Sequence, residues 1–194
     1  EEILGHRPFL VLADRLTLAG YSVLRMDDRG TAKSGGTFEG ATSLDFAEDI
    51  AAAIQFVKTL AYVDTQRIVL MGHSEGGMIA NMVAARYPEI YAVISLAGPG
   101  VLGSTLLQEQ QQLIIKANGA SKKERRALQK FSRSFYPILT LDSLVRLRKN
   151  AKIFLDNYAQ KINEKELREN GVPDRDTWVK LNLDAYVNPW MIYF

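Results

Sequence analysis

Ser74 is the residue of this 194-residue chain best placed to do chemistry. It sits in Gly72-His73-Ser74-Glu75-Gly76, a G-x-S-x-G pentapeptide flanked by two runs of opposite character. Ile68 to Met71 is a short apolar run with β-branched residues, the pattern of a buried parallel strand. From Gly77 the apolar spacing turns helical, with Met78, Met82 and Ala85 on one face before Tyr87-Pro88. A serine at such a strand-to-helix corner is a nucleophile elbow, a turn tight enough to strain its backbone and expose its hydroxyl. Gly72 and Gly76 are expected to make the room, since β-carbons there would collide as strand and helix close up. The new helix aims its first amides near Ser74, so the Glu75 N–H is the expected donor to an oxyanion. An ordinary turn would explain the glycines but not the serine between them.

A serine hydroxyl is a weak nucleophile until an imidazole takes its proton and a carboxylate orients that imidazole. The chain has two histidines, His6 and His73, and neither follows Ser74. His73 directly precedes the serine, so on a sharp elbow its side chain is expected to point away from the hydroxyl and to pack as a support. His6 lies just before the first helix, where a loop or capping role is expected. The candidate acids Asp142, Asp156, Asp174, Asp176 and Asp184 all fall in a helical block and not at the end of a strand. There is no cysteine, which excludes a thiol nucleophile, disulfides and thiolate metal sites. No metal or organic cofactor is implied.

The elements that must hold Ser74 alternate. Phe9, Leu12, Ala13 and Leu16 have helical spacing and stop at Gly20, and Tyr21 to Met26 reads as a strand. Thr42-x-x-Asp45 resembles a capping box, followed by an apolar stripe of Phe46, Ile50, Ala53, Val57 and Leu60 down one long helix. After the Ser74 strand and its helix, Tyr91 to Ala97 reads as a further strand ending at Gly98-Pro99-Gly100. Strands separated by helices of this length predict a parallel, doubly wound sheet, hence an α/β fold. Beyond residue 103 strand signals fade. Leu106 to about Leu183 reads as almost wholly helical, with breaks expected near Asn118-Gly119, Tyr136-Pro137 and Asn170-Gly171-Val172-Pro173.

Net charge is only +2, which gives no bulk electrostatic support to a nucleic-acid partner. No apolar run approaches the roughly 20 residues of a membrane span. The charge is nevertheless uneven: residues 1–102 carry net −4 and residues 103–194 net +6. Its densest basic stretch, Ser121 to Arg133, reads first as a solvated helix face and second as a surface for anionic substrates or membrane.

Three segments together resemble the α/β-hydrolase superfamily: Asp27-Asp28-Arg29-Gly30-Thr31-Ala32-Lys33-Ser34, Gly72-His73-Ser74-Glu75-Gly76-Gly77, and Leu96-Ala97-Gly98-Pro99-Gly100. The chain is most similar to bacterial serine hydrolases of esterase-like or prolyl-oligopeptidase-like type, over residues 5 to about 102. Within the family's Asp-x-Arg-Gly-x-Gly-x-Ser pattern, Ala32 stands where the second glycine is usual, a change expected to tune a loop and not to remove the chemistry. The same loop is no phosphate-binding loop, because Ala32 and Asp27 occupy the places where that motif needs glycines.

The resemblance implies a partial hydrolase core over residues 1–102, an all-helical cap over 103–190 and a return towards the core over 191–194. It would place several strands before residue 1, with Glu1 to Gly5 as the tail of a loop that donates the second oxyanion N–H. It would also place the acid and histidine beyond Trp190-Met191-Ile192-Tyr193-Phe194, so that this is an internal portion of a longer hydrolase. The implied activity is hydrolysis of a small-molecule ester or amide, or of a peptide, through an acyl-enzyme on Ser74. Acyl transfer by the same serine and a non-catalytic module of the same fold are the alternatives. Oligomeric state and compartment stay open.

Overall fold

Pro8 starts the first helix, α1 (Pro8–Leu18), at a position where the missing N–H has no helical acceptor to lose. The computed structural model describes residues 5–140 and 144–193 of the chain. The helix ends before Gly20, whose φ of +90° carries the chain into an αL turn. Residues 21–28, expected to hold a strand at Tyr21 to Met26, form no regular element. A strand exists only by hydrogen bonding to a neighbour, and among the described residues none pairs with this one. Its apolar side chains accordingly stay open: Tyr21, Val23, Leu24 and Met26 are all exposed.

Helix α2 (Ser43–Lys58) begins with the expected capping box. The Thr42 hydroxyl accepts from the Asp45 N–H, and the Asp45 carboxylate accepts from the Thr42 N–H at 2.8 Å. Its buried face is Ser43, Ala47, Ala51 and Ile54, rotated by about one residue from the expected stripe. The cause lies in its partner. The small side chains of Ala47 and Ala51 let α3 (Glu75–Arg86) approach closely, while Phe46 and Ile50 flank the contact half-buried. Helix α3 likewise buries Gly77, Ile79, Ala80 and Val83, not the Met78, Met82 and Ala85 row. Wedged between α2 and the sheet, it has two faces to cover.

The sheet has two strands among the described residues, β1 (Val69–His73) and β2 (Ala92–Leu96), parallel and in register from Val69↔Ala92 to His73↔Leu96. The parallel arrangement expected from the alternation of elements is borne out. Helix α3 connects the strands and packs on both, and its contact with Ser95 places Leu70, Gly72, Val93 and Ser95 on the covered face. By the same alternation His73 faces the other way, where its ring lies 6.0 Å from that of Phe9 on α1. Helices thus reach the sheet from two sides, although Val69, Met71, Ile94 and Leu96 on the second face remain exposed.

The chain divides into two compact units between Gly98 and Pro99. The second unit is helical: α4 (Gly103–Ala117), α5 (Lys122–Leu139), α6 (Leu144–Ala159), α7 (Glu164–Glu169), α8 (Arg175–Tyr186) and α9 (Pro189–Tyr193). Breaks occur as expected at Gly119 and Gly171, both with positive φ. A further break at residues 160–163 was not anticipated, and the expected break at Tyr136-Pro137 is absent. Pro137 lies inside the last turn of α5, where the helix forfeits one hydrogen bond only two residues before its end.

The core of this unit is aromatic. Phe131 and Phe135 stack at 5.2 Å, and Phe131 meets Tyr158 edge-on at 4.9 Å, above a buried row of Leu147, Ala151 and Leu155 from α6. Opposite that buried face, Lys122, Lys123, Arg126, Lys130 and Arg133 are exposed, so the basic stretch forms the solvated side of α5. Residues 191–193, assigned from the sequence to a return towards the core, belong to α9; Phe194 and Asp142 lie outside the described residues. No helix among the described residues is long and apolar enough to cross a membrane.

Candidate active site

Ser74 joins β1 directly to α3 with φ 53° and ψ −123°, a conformation that L-residues rarely adopt. Such strain persists only where the surroundings over-determine it. Here the Ser74 N–H donates to Leu96 O on β2 at 2.9 Å, and Ser74 O accepts from the Gly77 N–H at 2.9 Å. The serine is therefore tied to the neighbouring strand on one side and to its own helix on the other. The positive φ at Ser74 thus falls where strand β1 gives way to helix α3.

The steric need for glycine is distributed differently from expectation. A β-carbon on Gly72 would run into the backbone of Gly76 and stand 2.7 Å from Gly77 N, so only glycine fits there. A β-carbon on Gly76 would meet nothing within 4 Å. What the elbow requires at residue 76 is the close approach of its backbone, not the missing side chain. The second steric glycine is Gly77, whose β-carbon would stand 2.5 Å from Ser95 Oγ on β2. The signal for it was present as the Gly76-Gly77 pair, a costly opening for a helix unless packing demands it.

Glu75 is the first helical residue after Ser74. Its N–H belongs to the amides that a helix leaves to outside acceptors at its positive end. Its carboxylate accepts a 2.7 Å hydrogen bond from the hydroxyl of Ser43, the first residue of α2, which is only 1% exposed. Sequence reasoning missed this pair; 32 residues separate the two, and no spacing rule links them.

The loop before α2 is held as firmly. Arg29 forms a two-pronged pair with Asp49, Nε and Nη2 each donating at 2.8 Å, and Nη2 also donates to Asp45 O at 2.8 Å. The Asp49 carboxylate keeps the Arg29 guanidinium firmly protonated, its pKa raised above an already high value. Within the loop, Ser34 Oγ donates to Asp27 O and Thr31 Oγ1 to Asp28 O. Ala32 has φ 46°, in the left-handed region that glycine favours.

A family profile described as serine aminopeptidase, S33, matches residues 7–168 of the chain, most of its length. The chain belongs to the serine aminopeptidase S33 family of the α/β-hydrolase superfamily. The resemblance read from the sequence is thereby shown. The chain is also 37% identical, over 91 residues, to a monoacylglycerol lipase of Mycolicibacterium smegmatis. That stretch is 46% of this chain and spans 32% of the lipase's length. No solved structure matches the chain.

In α/β-hydrolases the base and acid follow the nucleophile along the chain, and neither histidine of the sequence follows Ser74. His73 ends β1 as an exposed residue, its ring centroid 6.0 Å from that of Phe9 on α1, so the packed support expected of it is not what the structure has. His6 is an exposed loop residue. The four described candidate acids have local places on the helices. Asp174 caps α8, and the Thr177 N–H it accepts holds its carboxyl below the usual range. Asp156 pairs with Lys152 at 2.8 Å and Asp184 with Arg148 at 3.5 Å, while Asp176 sits in the first turn of α8.

Proposed function

We propose that this chain carries the nucleophile of a serine hydrolase acting on carboxylic esters. The observation that carries the reading is the backbone of Ser74, held at φ 53° between a parallel strand and a helix N-terminus. Strain of that kind costs about 1–3 kcal/mol and is a recurring feature of reactive sites. Ser74 Oγ attacks the acyl carbonyl carbon and gives up its proton to a general base. The carbonyl oxygen becomes an oxyanion that accepts from the Glu75 N–H, and collapse expels the alcohol, which takes the proton back from the base. Water then attacks the acyl-enzyme with the same base, releasing the acid and restoring Ser74. Neither His6 nor His73 stands after Ser74, where the family has its base. The helical unit follows the strand after the nucleophile helix in the chain, the place in sequence where the resemblance puts a cap.

The lipase similarity favours an ester such as a monoacylglycerol over an amide. The family's description as aminopeptidase supports peptide cleavage as the second reading. Both use the same serine. The test is reaction of the full chain with a fluorophosphonate probe, located by peptide mass spectrometry, with Ser74→Ala as control. Modification at Ser74, together with hydrolysis of p-nitrophenyl esters faster than of aminoacyl anilides, supports the ester reading. Undiminished turnover in Ser74→Ala would refute the mechanism outright.

A further inference from the structure

We infer that Ser43 is a positioning residue for the nucleophile elbow, acting through the Glu75 carboxylate; this rests on the reading of Ser74 as nucleophile. Residue 75 carries two groups of opposite consequence. Its N–H is the proposed oxyanion donor, whereas its carboxylate, one residue from the nucleophile, would repel an oxyanion if it turned towards one. The Ser43 hydroxyl holds one oxygen of that carboxylate. It donates to Glu75 Oε1 at 2.7 Å from a site that is 1% exposed, with Thr42 and Ala41 beside it also buried. The carboxylate is thus drawn to the first turn of α2, whose positive end favours an anion.

The anchor is itself anchored. Ser43 is the first residue of a helix whose N-terminus is fixed by the Thr42–Asp45 capping box and whose next turn is gripped by Arg29 through Asp45 and Asp49. A hydrogen bond from such a rigid donor restricts where the backbone of Glu75 can go. Ser74, joined to Glu75 by one peptide bond and held in an unfavourable φ, is restricted with it. Two further restraints on the elbow are the hydrogen bonds of Ser74 N to Leu96 O and of Gly77 N to Ser74 O. Those two amides therefore report on whether the Ser43 bond keeps the elbow closed.

The experiment is amide hydrogen exchange of the full chain by NMR, comparing wild type, Ser43→Ala, Glu75→Gln and Glu75→Ala. Loss of a hydrogen bond to a charged acceptor is expected to accelerate exchange at Ser74 and Gly77 roughly ten- to hundredfold in Ser43→Ala. The amide of Ile54, deep in α2, should exchange as before. Glu75→Ala should give the same local acceleration should Ser43→Ala fail to fold, and Glu75→Gln, which keeps an acceptor, should stay closer to wild type. With a p-nitrophenyl ester the matching result is a fall in kcat with little change in KM. Unchanged exchange at Ser74 and Gly77, or equal acceleration at Ile54, would overturn the inference. Full turnover in Ser74→Ala would instead remove the hydrolase reading and leave the exchange result to judge Ser43 alone.

Discussion

The β-carbon that Gly77 lacks would stand 2.5 Å from Ser95 Oγ and 3.0 Å from Gly98 Cα. The first turn of α3 therefore rests on β2 with no space for a methyl group, and one of the two obstructing atoms is backbone. Gly77→Ala should destabilise the protein by about 1–3 kcal/mol, the usual range for overpacking a tight contact. Gly76→Ala, one residue earlier, finds open space and should be neutral or stabilising by up to about 1 kcal/mol, because alanine is the better helix former. Denaturant midpoints of the two variants measure the contrast. Equal losses at both positions would contradict this account of the elbow.

Ala32 adopts φ 46° in the place where the family pattern has glycine. A left-handed conformation costs an alanine on the order of 1–2 kcal/mol, part of which glycine's greater unfolded-state entropy returns. Ala32→Gly should therefore raise stability by up to about 1 kcal/mol in thermal or denaturant unfolding. Gly30→Ala should do the reverse, since its φ is +70° and a β-carbon would lie 2.6 Å from Phe38 N. A loss of stability in Ala32→Gly would show that the loop does not store this strain.

Local chemistry made the elbow and the capping box of α2 readable in the sequence. Gly72-His73-Ser74-Glu75-Gly76 and Thr42-x-x-Asp45 are each confined to a few residues, and the backbone they imply follows from those residues alone. What depends on partners was less visible. The spacing of Tyr21 to Met26 suits a strand, but a strand needs a neighbour, and none among the described residues pairs with it. The buried faces of α2 and α3 were displaced because Ala47, Ala51 and Gly77 act through smallness, which periodicity counts do not weigh. Pro137 suggested a break, yet α5 runs on to Leu139 and forgoes the one hydrogen bond that Pro137 cannot donate. Ser43, one residue past the cap, had no local signal of its bond to Glu75.

Arg29 joins the Asp27–Ser34 loop to two consecutive turns of α2, through Asp45 O and through both oxygens of Asp49. Lysine keeps the charge but cannot span those acceptors, because it lacks the planar fork. Arg29→Lys should lower the denaturant midpoint, because the hydrogen bonds to Asp45 O and Asp49 cannot all be remade by one ammonium group. The same variant should speed exchange of the loop amides of Gly30 and Ser34, which donate to Gly35 O and Thr31 O. Stability and exchange equal to wild type would mean that the guanidinium geometry is dispensable.

Acid should weaken the start of α2 through Asp45. The hydroxyl and N–H of Thr42, aided by Arg29, hold the Asp45 carboxyl below its ordinary range. A depressed folded-state pKa stabilises fully above the unfolded value of about 3.9, and that stabilisation is lost as pH falls through the folded value. Glu124 beside Ser121 and Asp174 beside Thr177 are shifted in the same direction. These three groups therefore leave stability flat from about pH 5 to 8 and lower it below about pH 4. Thr42→Ala should cost about 1 kcal/mol near neutrality, the usual worth of a helix cap, and should flatten the acid limb as Asp45 moves back towards its unfolded value. Urea midpoints from about pH 7 to about pH 2.5, with carboxyl ¹³C shifts for Asp45, measure both effects. An Asp45 that titrates at its ordinary value in the folded protein would remove the capping box as the cause.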